Sequence, residues 1–129
     1  MKLSEKIEYW MDIADYDINT ARAMHKNGRY LYTVFMCQQA VEKILKAFHL
    51  QENSKDAPLS HNLVYLQSLL GLEPSEEQLK LLAELTTYYI EGRYPSYKEK
   101  LSTLVKKEKS SEILKQTEEL YKWLRQKMK

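Results

Sequence analysis

Glycine and proline are scarce in this chain, three of each in 129 residues, and long stretches hold neither. Turn-rich sheet proteins need such breakers, so their scarcity points to an all-helical fold. The three glycines stand isolated, which excludes a glycine-rich phosphate loop. The single cysteine, Cys37, excludes an intramolecular disulfide and suits a reducing compartment. Its apolar helical neighbours mark it as a buried structural thiol rather than a nucleophile. One cysteine and three scattered histidines cannot build the usual structural zinc site, and neither Glu-x-x-His nor His-Glu-x-x-His occurs. No metal and no cofactor is therefore expected. No serine lies in a nucleophile-elbow context. A formal net charge of +2 gives no strong global pull toward nucleic acid or membrane. Lysine far outnumbers arginine, which weakens any expectation of many bidentate phosphate contacts. No apolar run approaches the ~20 residues of a membrane span. The charged opening Met1-Lys2-Leu3-Ser4-Glu5-Lys6 has no signal-peptide core. The expectation is a cytoplasmic protein.

What is present is helical periodicity. Leu3, Ile7, Trp10, Ala14, Ile18, Ala21 and Met24 recur at steps of three and four, predicting a first helix from about Leu3 to Lys26. Asn27-Gly28 ends it, since glycine accepts the left-handed conformation of a helix C-terminus. The short connection makes the second helix, Tyr30 to about Gln51, an antiparallel neighbour. A third runs from Ser60 or His61 to Leu70, with Leu63, Leu66 and Leu70 inward and Gly71 as the stop. Ser75 and Gln78 match a capping box, opening a fourth helix that carries Leu79, Leu82, Leu85 and Tyr89 and breaks at Gly92. Arg93 to Tyr97 cannot continue as regular helix, because the residue before Pro95 is pushed extended. A last helix spans about Ser111 to Met128, with Ile113, Thr117, Leu120, Leu124 and Met128 inward. No internal repeat or boundary divides residues 1–129. The fold class is all-α, an antiparallel up-and-down bundle of about five helices in one domain.

The second helix is apolar on nearly every side, as expected of a central element. Yet Gln38, Glu42, Lys46 and His49 form one polar line across it. The simpler reading is an exposed ridge with a Glu42–Lys46 pair in the favourable order. The sharper one is a polar seam facing a partner or a ligand. On the first helix Asp12 and Asp15 share a face that reads as solvated. Asp17 borders the core-facing Ile18, and a carboxylate there needs a partner, as an ion pair or in a site. His61 either holds its loop by hydrogen bonds or contacts a ligand. Arg93, flanked by Tyr88, Tyr89, Tyr94 and Tyr97, suits stacking on a base or gripping phosphate; the plainer alternative is that it ties down the Pro95 turn. Lys98, Lys100, Lys106, Lys107 and Lys109 read as solvated surface, diluted by Glu99 and Glu108.

These residues together carry a resemblance. Trp10-x-x-x-Ala14-x-x-Asp17-Ile18-x-x-Ala21 is followed by Gln38-Gln39-Ala40-x-Glu42-Lys43-x-x-Lys46-Ala47, Ser60-His61-Asn62-Leu63 and Arg93-Tyr94-Pro95. In this order and spacing they resemble the HEPN domains, the higher eukaryote and prokaryote nucleotide-binding domains, from about Ile7 to Trp123. The resemblance implies a bundle commonly paired as a homodimer. It also implies a possible partner, because members are often encoded beside a minimal nucleotidyltransferase in toxin–antitoxin or nucleotide-transfer pairs. Other members are metal-independent ribonucleases with an Arg-x4-6-His pattern. Arg93 matches that arginine by position, but Lys98, Glu99 and Lys100 stand where the histidine falls, and no histidine follows His61. Phosphodiester cleavage by general acid–base chemistry needs a group titrating near neutrality, and Tyr97 and Lys98 substitute poorly for one.

The resulting expectation is a binding module rather than an enzyme, dimeric, taking a nucleotide, RNA or a nucleotidyltransferase partner. Arg93 holds phosphate, Tyr94 or Tyr97 offers an aromatic face, and His61, Asp17, Gln38 and Glu42 shape the polar seam. The alternatives are a ribonuclease using Arg93 without the usual histidine, and a purely structural dimerisation domain.

Overall fold

The computed structural model describes residues 1–129, with side chains described outside 95–99. Six helices follow in order: α1 (Leu3–Lys26), α2 (Tyr30–Asn53), α3 (Leu63–Ser68), α4 (Glu76–Glu91), α5 (Pro95–Leu104) and α6 (Lys107–Lys127). Gly28 closes α1 with φ of 77°, a backbone angle that favours glycine, and Arg29 leads directly into α2. Ser75 and Gln78 form the expected capping box of α4, with reciprocal hydrogen bonds of 3.1 and 2.9 Å.

The four long helices run up, down, up and down. Contacts between α1 and α6 set their register: Asp15 pairs with Arg125 at 2.7 Å, Arg22 with Glu118 at 2.8 Å, and His25 meets Ser110 at 2.8 Å. Rising numbers on one helix meet falling numbers on the other, so the two are antiparallel. Beside them α2 runs parallel to α6, with Gln51 bonded to the backbone of Lys129 at both ends of its amide. On the far side α4 brings Glu84 within 2.8 Å of Lys109 at the head of α6.

Two expectations change. The proline expected to stop helix instead starts one. Tyr94 is extended, as the residue before a proline should be, but Pro95 then takes the first position of α5, where its missing N–H and fixed φ cost nothing. The bundle therefore has six helices rather than about five, and α6 begins four residues earlier than its apolar pattern suggested. At the other short element, α3 starts only at Leu63, because Ser60 to Asn62 are spent on capping it.

Helix α2 is the core, packed against α1, α3, α4, α5 and α6. Val34, Cys37, Ala40, Val41, Ile44 and Ala47 are all fully buried along it. Burial pushes the Cys37 thiol up to about 12, so it is an inert packing residue, as expected. Among the described residues, no helix is long and apolar enough to cross a membrane. Asp12 and Asp15 share a solvated face as expected, and Asp15, 40% exposed in its side chain, also accepts hydrogen bonds from Tyr121 and Arg125.

Candidate functional site

An ionised side chain loses several kcal/mol of hydration when enclosed, so it must be fully partnered where it is buried. Gln38 and Glu42 meet this demand on α2, where they are 0% and 2% exposed. The simpler reading of an exposed ridge is therefore wrong, because α2 is enclosed where the ridge was placed. Glu42 Oε1 accepts from Gln38 Nε2 at 3.0 Å and from His61 Nδ1 at 2.8 Å, while Oε2 accepts from Lys46 Nζ at 3.0 Å. Burial pushes the Glu42 carboxyl up, but the bonds from His61, Gln38 and Lys46 and the lysine charge outweigh it and hold the group below its ordinary range. An ionised carboxylate only accepts, so the His61 ring carries its hydrogen on Nδ1.

The seam continues in both directions. Gln38 Oε1 accepts from Gln39 at 2.7 Å, and Gln39 Oε1 accepts from Lys43 at 2.7 Å. Lys43 reaches Asp17 on α1 at 3.4 Å. Burial raises the Asp17 carboxyl more than Lys43 lowers it, and the nearby charge of Glu42 adds to the rise. Toward the other end, Lys46 Nζ stands 5.5 Å over the Trp10 ring. His49 is not part of the seam; its Nδ1 meets the Lys55 carbonyl at 2.9 Å.

The loop before α3 is built residue by residue around the same network. Ser60 Oγ accepts from the Asn62 N–H, and Asn62 Oδ1 caps α3 through the Tyr65 N–H, each at 3.1 Å. Leu63 is fully buried, and its N–H donates to the Thr86 hydroxyl of α4 at 3.1 Å. Gln38 Nε2 donates its second hydrogen to the His61 carbonyl at 3.0 Å. So Gln38 holds the loop backbone, which frees the His61 ring for Glu42. The loop is thus fastened to α2 twice, through the His61 carbonyl to Gln38 and through the His61 ring to Glu42.

His61 then connects the seam to the surface. Its side chain is 41% exposed, whereas that of Glu42 is 3% exposed. The imidazole packs against Tyr89 with ring centroids 5.1 Å apart. The Arg93 guanidinium lies over the same tyrosine at 5.2 Å. Arg93 is exposed and has no ion pair among the described residues. Tyr94 is 57% exposed beside it. The Tyr97 side chain lies outside the described residues. Asp17, Gln38, Glu42, His61 and Arg93, from separate segments, are thus linked through one chain of contacts. Gln39, Lys43, Lys46 and Tyr89 complete it; the first three stand in the polar motif of α2 and Tyr89 among the aromatics flanking Arg93, but neither pattern shows that they meet.

Residues 7–127 match the HEPN domain family. The chain belongs to the HEPN family. The structure of TT1696 from Thermus thermophilus is similar, with a TM-score of 0.82 and 21% identity over 95% of this chain and 98% of that one. ST0689, an archaeal HEPN homologue, has a TM-score of 0.76 at 22% identity, with both chains covered in full. At such identities these likenesses speak for the fold. No match is found among curated proteins.

In this HEPN domain Gly92 protects the surface end of the site. A Cβ there would collide with Phe35 Cζ and lie 2.6 Å from Cε1, and the Phe35 ring packs edge-on to Tyr89 at 6.2 Å. Gly92→Ala must displace the Phe35 ring and with it the support of Tyr89. Overpacking of this kind is expected to cost about 1–3 kcal/mol, read as a lower urea midpoint with an unchanged slope.

Proposed function

We propose that this HEPN domain is a binding module for a nucleotide or RNA, with Arg93 gripping phosphate and Tyr94 or Tyr97 presenting an aromatic face to a base. One observation carries the reading: the exposed Arg93 guanidinium rests on Tyr89, which packs against the His61 ring anchored by buried Glu42. A guanidinium presents planar donors suited to phosphate, and a preorganised one loses less entropy on binding. Asp17, Gln38 and Glu42 act from below by holding the platform. The proposal extends to a cytoplasmic homodimer acting with a minimal nucleotidyltransferase, since members of the family are often encoded beside one.

The test incubates the protein and its Arg93→Ala variant with labelled RNA and labelled nucleotides in EDTA, scoring binding and cleavage together. Loss of a charge-assisted phosphate contact is expected to weaken binding about tenfold or more. Equal affinity in the two proteins would remove Arg93 from the site. A second reading, a metal-independent ribonuclease, draws on the same geometry because an imidazole borders the ring that carries Arg93. Cleavage by the parent alone would favour it.

A further inference from the structure

We infer that the phosphate taken at Arg93 is a terminal monoester, held jointly by Arg93 and Nε2 of the His61 ring. This rests on the binding reading above and deepens it. His61 Nδ1 is committed to Glu42, and Nε2 has no hydrogen-bond partner among the described residues. With its hydrogen on Nδ1, the ring offers Nε2 as an acceptor, and it donates there only when it holds a second proton.

The charges around the ring favour an anion. From α2, His61 meets Glu42, whose other oxygen is matched by Lys46 at 3.0 Å. From α4 it meets Tyr89, and just beyond α4 stands Arg93 over the same ring. Lys46 matches Glu42, so Arg93 is left as a positive charge with no counter-charge among the described residues. A phosphate monoester carries about −1.5 to −2 near neutrality, whereas an internal phosphodiester carries a single negative charge. The monoester can also exchange a proton with Nε2, so the pair keeps a hydrogen bond whichever partner holds it. A diester has no such proton. Glu42 is thus a positioning residue, and His61 is the group that separates chain ends from chain interiors.

Adenosine 5′-monophosphate and the dinucleotide ApA discriminate these cases by calorimetry near pH 6.5. In His61→Asn, the amide N–H stands in for Nδ1 toward Glu42 while the Nε2 position is lost. The parent should prefer the monophosphate, and His61→Asn should erase about tenfold of that preference by weakening the monophosphate more than ApA. His61→Gln, whose amide reaches toward the Nε2 position, should keep part of it. Arg93→Gln should weaken both ligands. Equal loss for the two ligands in His61→Asn, or no loss, would overturn the joint site while leaving Arg93 as a phosphate residue. Insensitivity of both ligands to Arg93→Gln, or no binding by the parent, would overturn the binding reading itself and the inference with it. Urea midpoints of the His61 variants separate loss of binding from loss of fold.

Discussion

Replacing Glu42 with alanine is expected to lower the unfolding free energy by about 3–5 kcal/mol, the usual cost of removing one member of a buried charged network. Gln38, His61 and Lys46 all direct donors at this one carboxylate. Alanine would leave the Gln38 amide short of an acceptor and leave the Lys46 ammonium, only 13% exposed, without its counter-charge. Against a typical total stability of about 5–15 kcal/mol, such a loss is readily measured by urea denaturation. Glu42→Gln is the milder variant, since its amide oxygen still accepts from some of these donors.

The two differ in their pH dependence. The folded Glu42 carboxyl titrates below its ordinary value. Its contribution is therefore complete above the unfolded pKa, about 4.5, and is lost as pH falls through the depressed folded value. The parent should lose stability in that acid window, and Glu42→Gln should lack that part of the slope. Identical acid profiles for parent and variant would show that Glu42 is not the charged hub described. Asp17 works in the opposite sense. Its folded pKa is raised, so its charged form is disfavoured in the fold at neutral pH and the penalty eases as pH falls. That sign separates the two carboxylates although they belong to one network.

Leu63→Ala is expected to cost about 2–5 kcal/mol, as buried leucine truncations do. Leu63 is fully buried and its own N–H is fastened to Thr86 of α4. It sits two residues after His61, so a collapse around the new cavity would also shift the loop that carries the imidazole. The variant should show both a lower urea midpoint and weaker ligand binding. A stability loss with binding untouched would mean that Gln38 alone positions the loop through the His61 carbonyl.

The Ser60-His61-Asn62-Leu63 segment shows what could be read in advance. Leu63 is legible as core from its spacing with Leu66 and Leu70, because helical period and hydrophobicity are local properties. The caps at Ser75 and Asn62 are also local, since each side chain reaches only a few residues along the chain. Only the capping box at Ser75 was visible as a pattern. Pro95 was misread because the same residue that ends one helix is well placed to begin another, and local sequence does not distinguish the two. Asp15 does lie on a solvated face, but its partners there, Tyr121 and Arg125, are more than a hundred positions away and so were not legible.

Composition and periodicity were sufficient for an all-helical bundle with α2 at its centre, and residue order and spacing for the resemblance to HEPN domains. Each depends on which residues follow one another along a helix. The burial of Gln38 and Glu42, the pairing of His61 with Glu42, and the meeting of His61 and Arg93 at Tyr89 depend instead on how α1, α2, α3 and α4 pack. A polar stripe on a helix looks the same whether water or another helix faces it. Packing alone decides between them, because a buried carboxylate is tolerable only where other segments bring it donors.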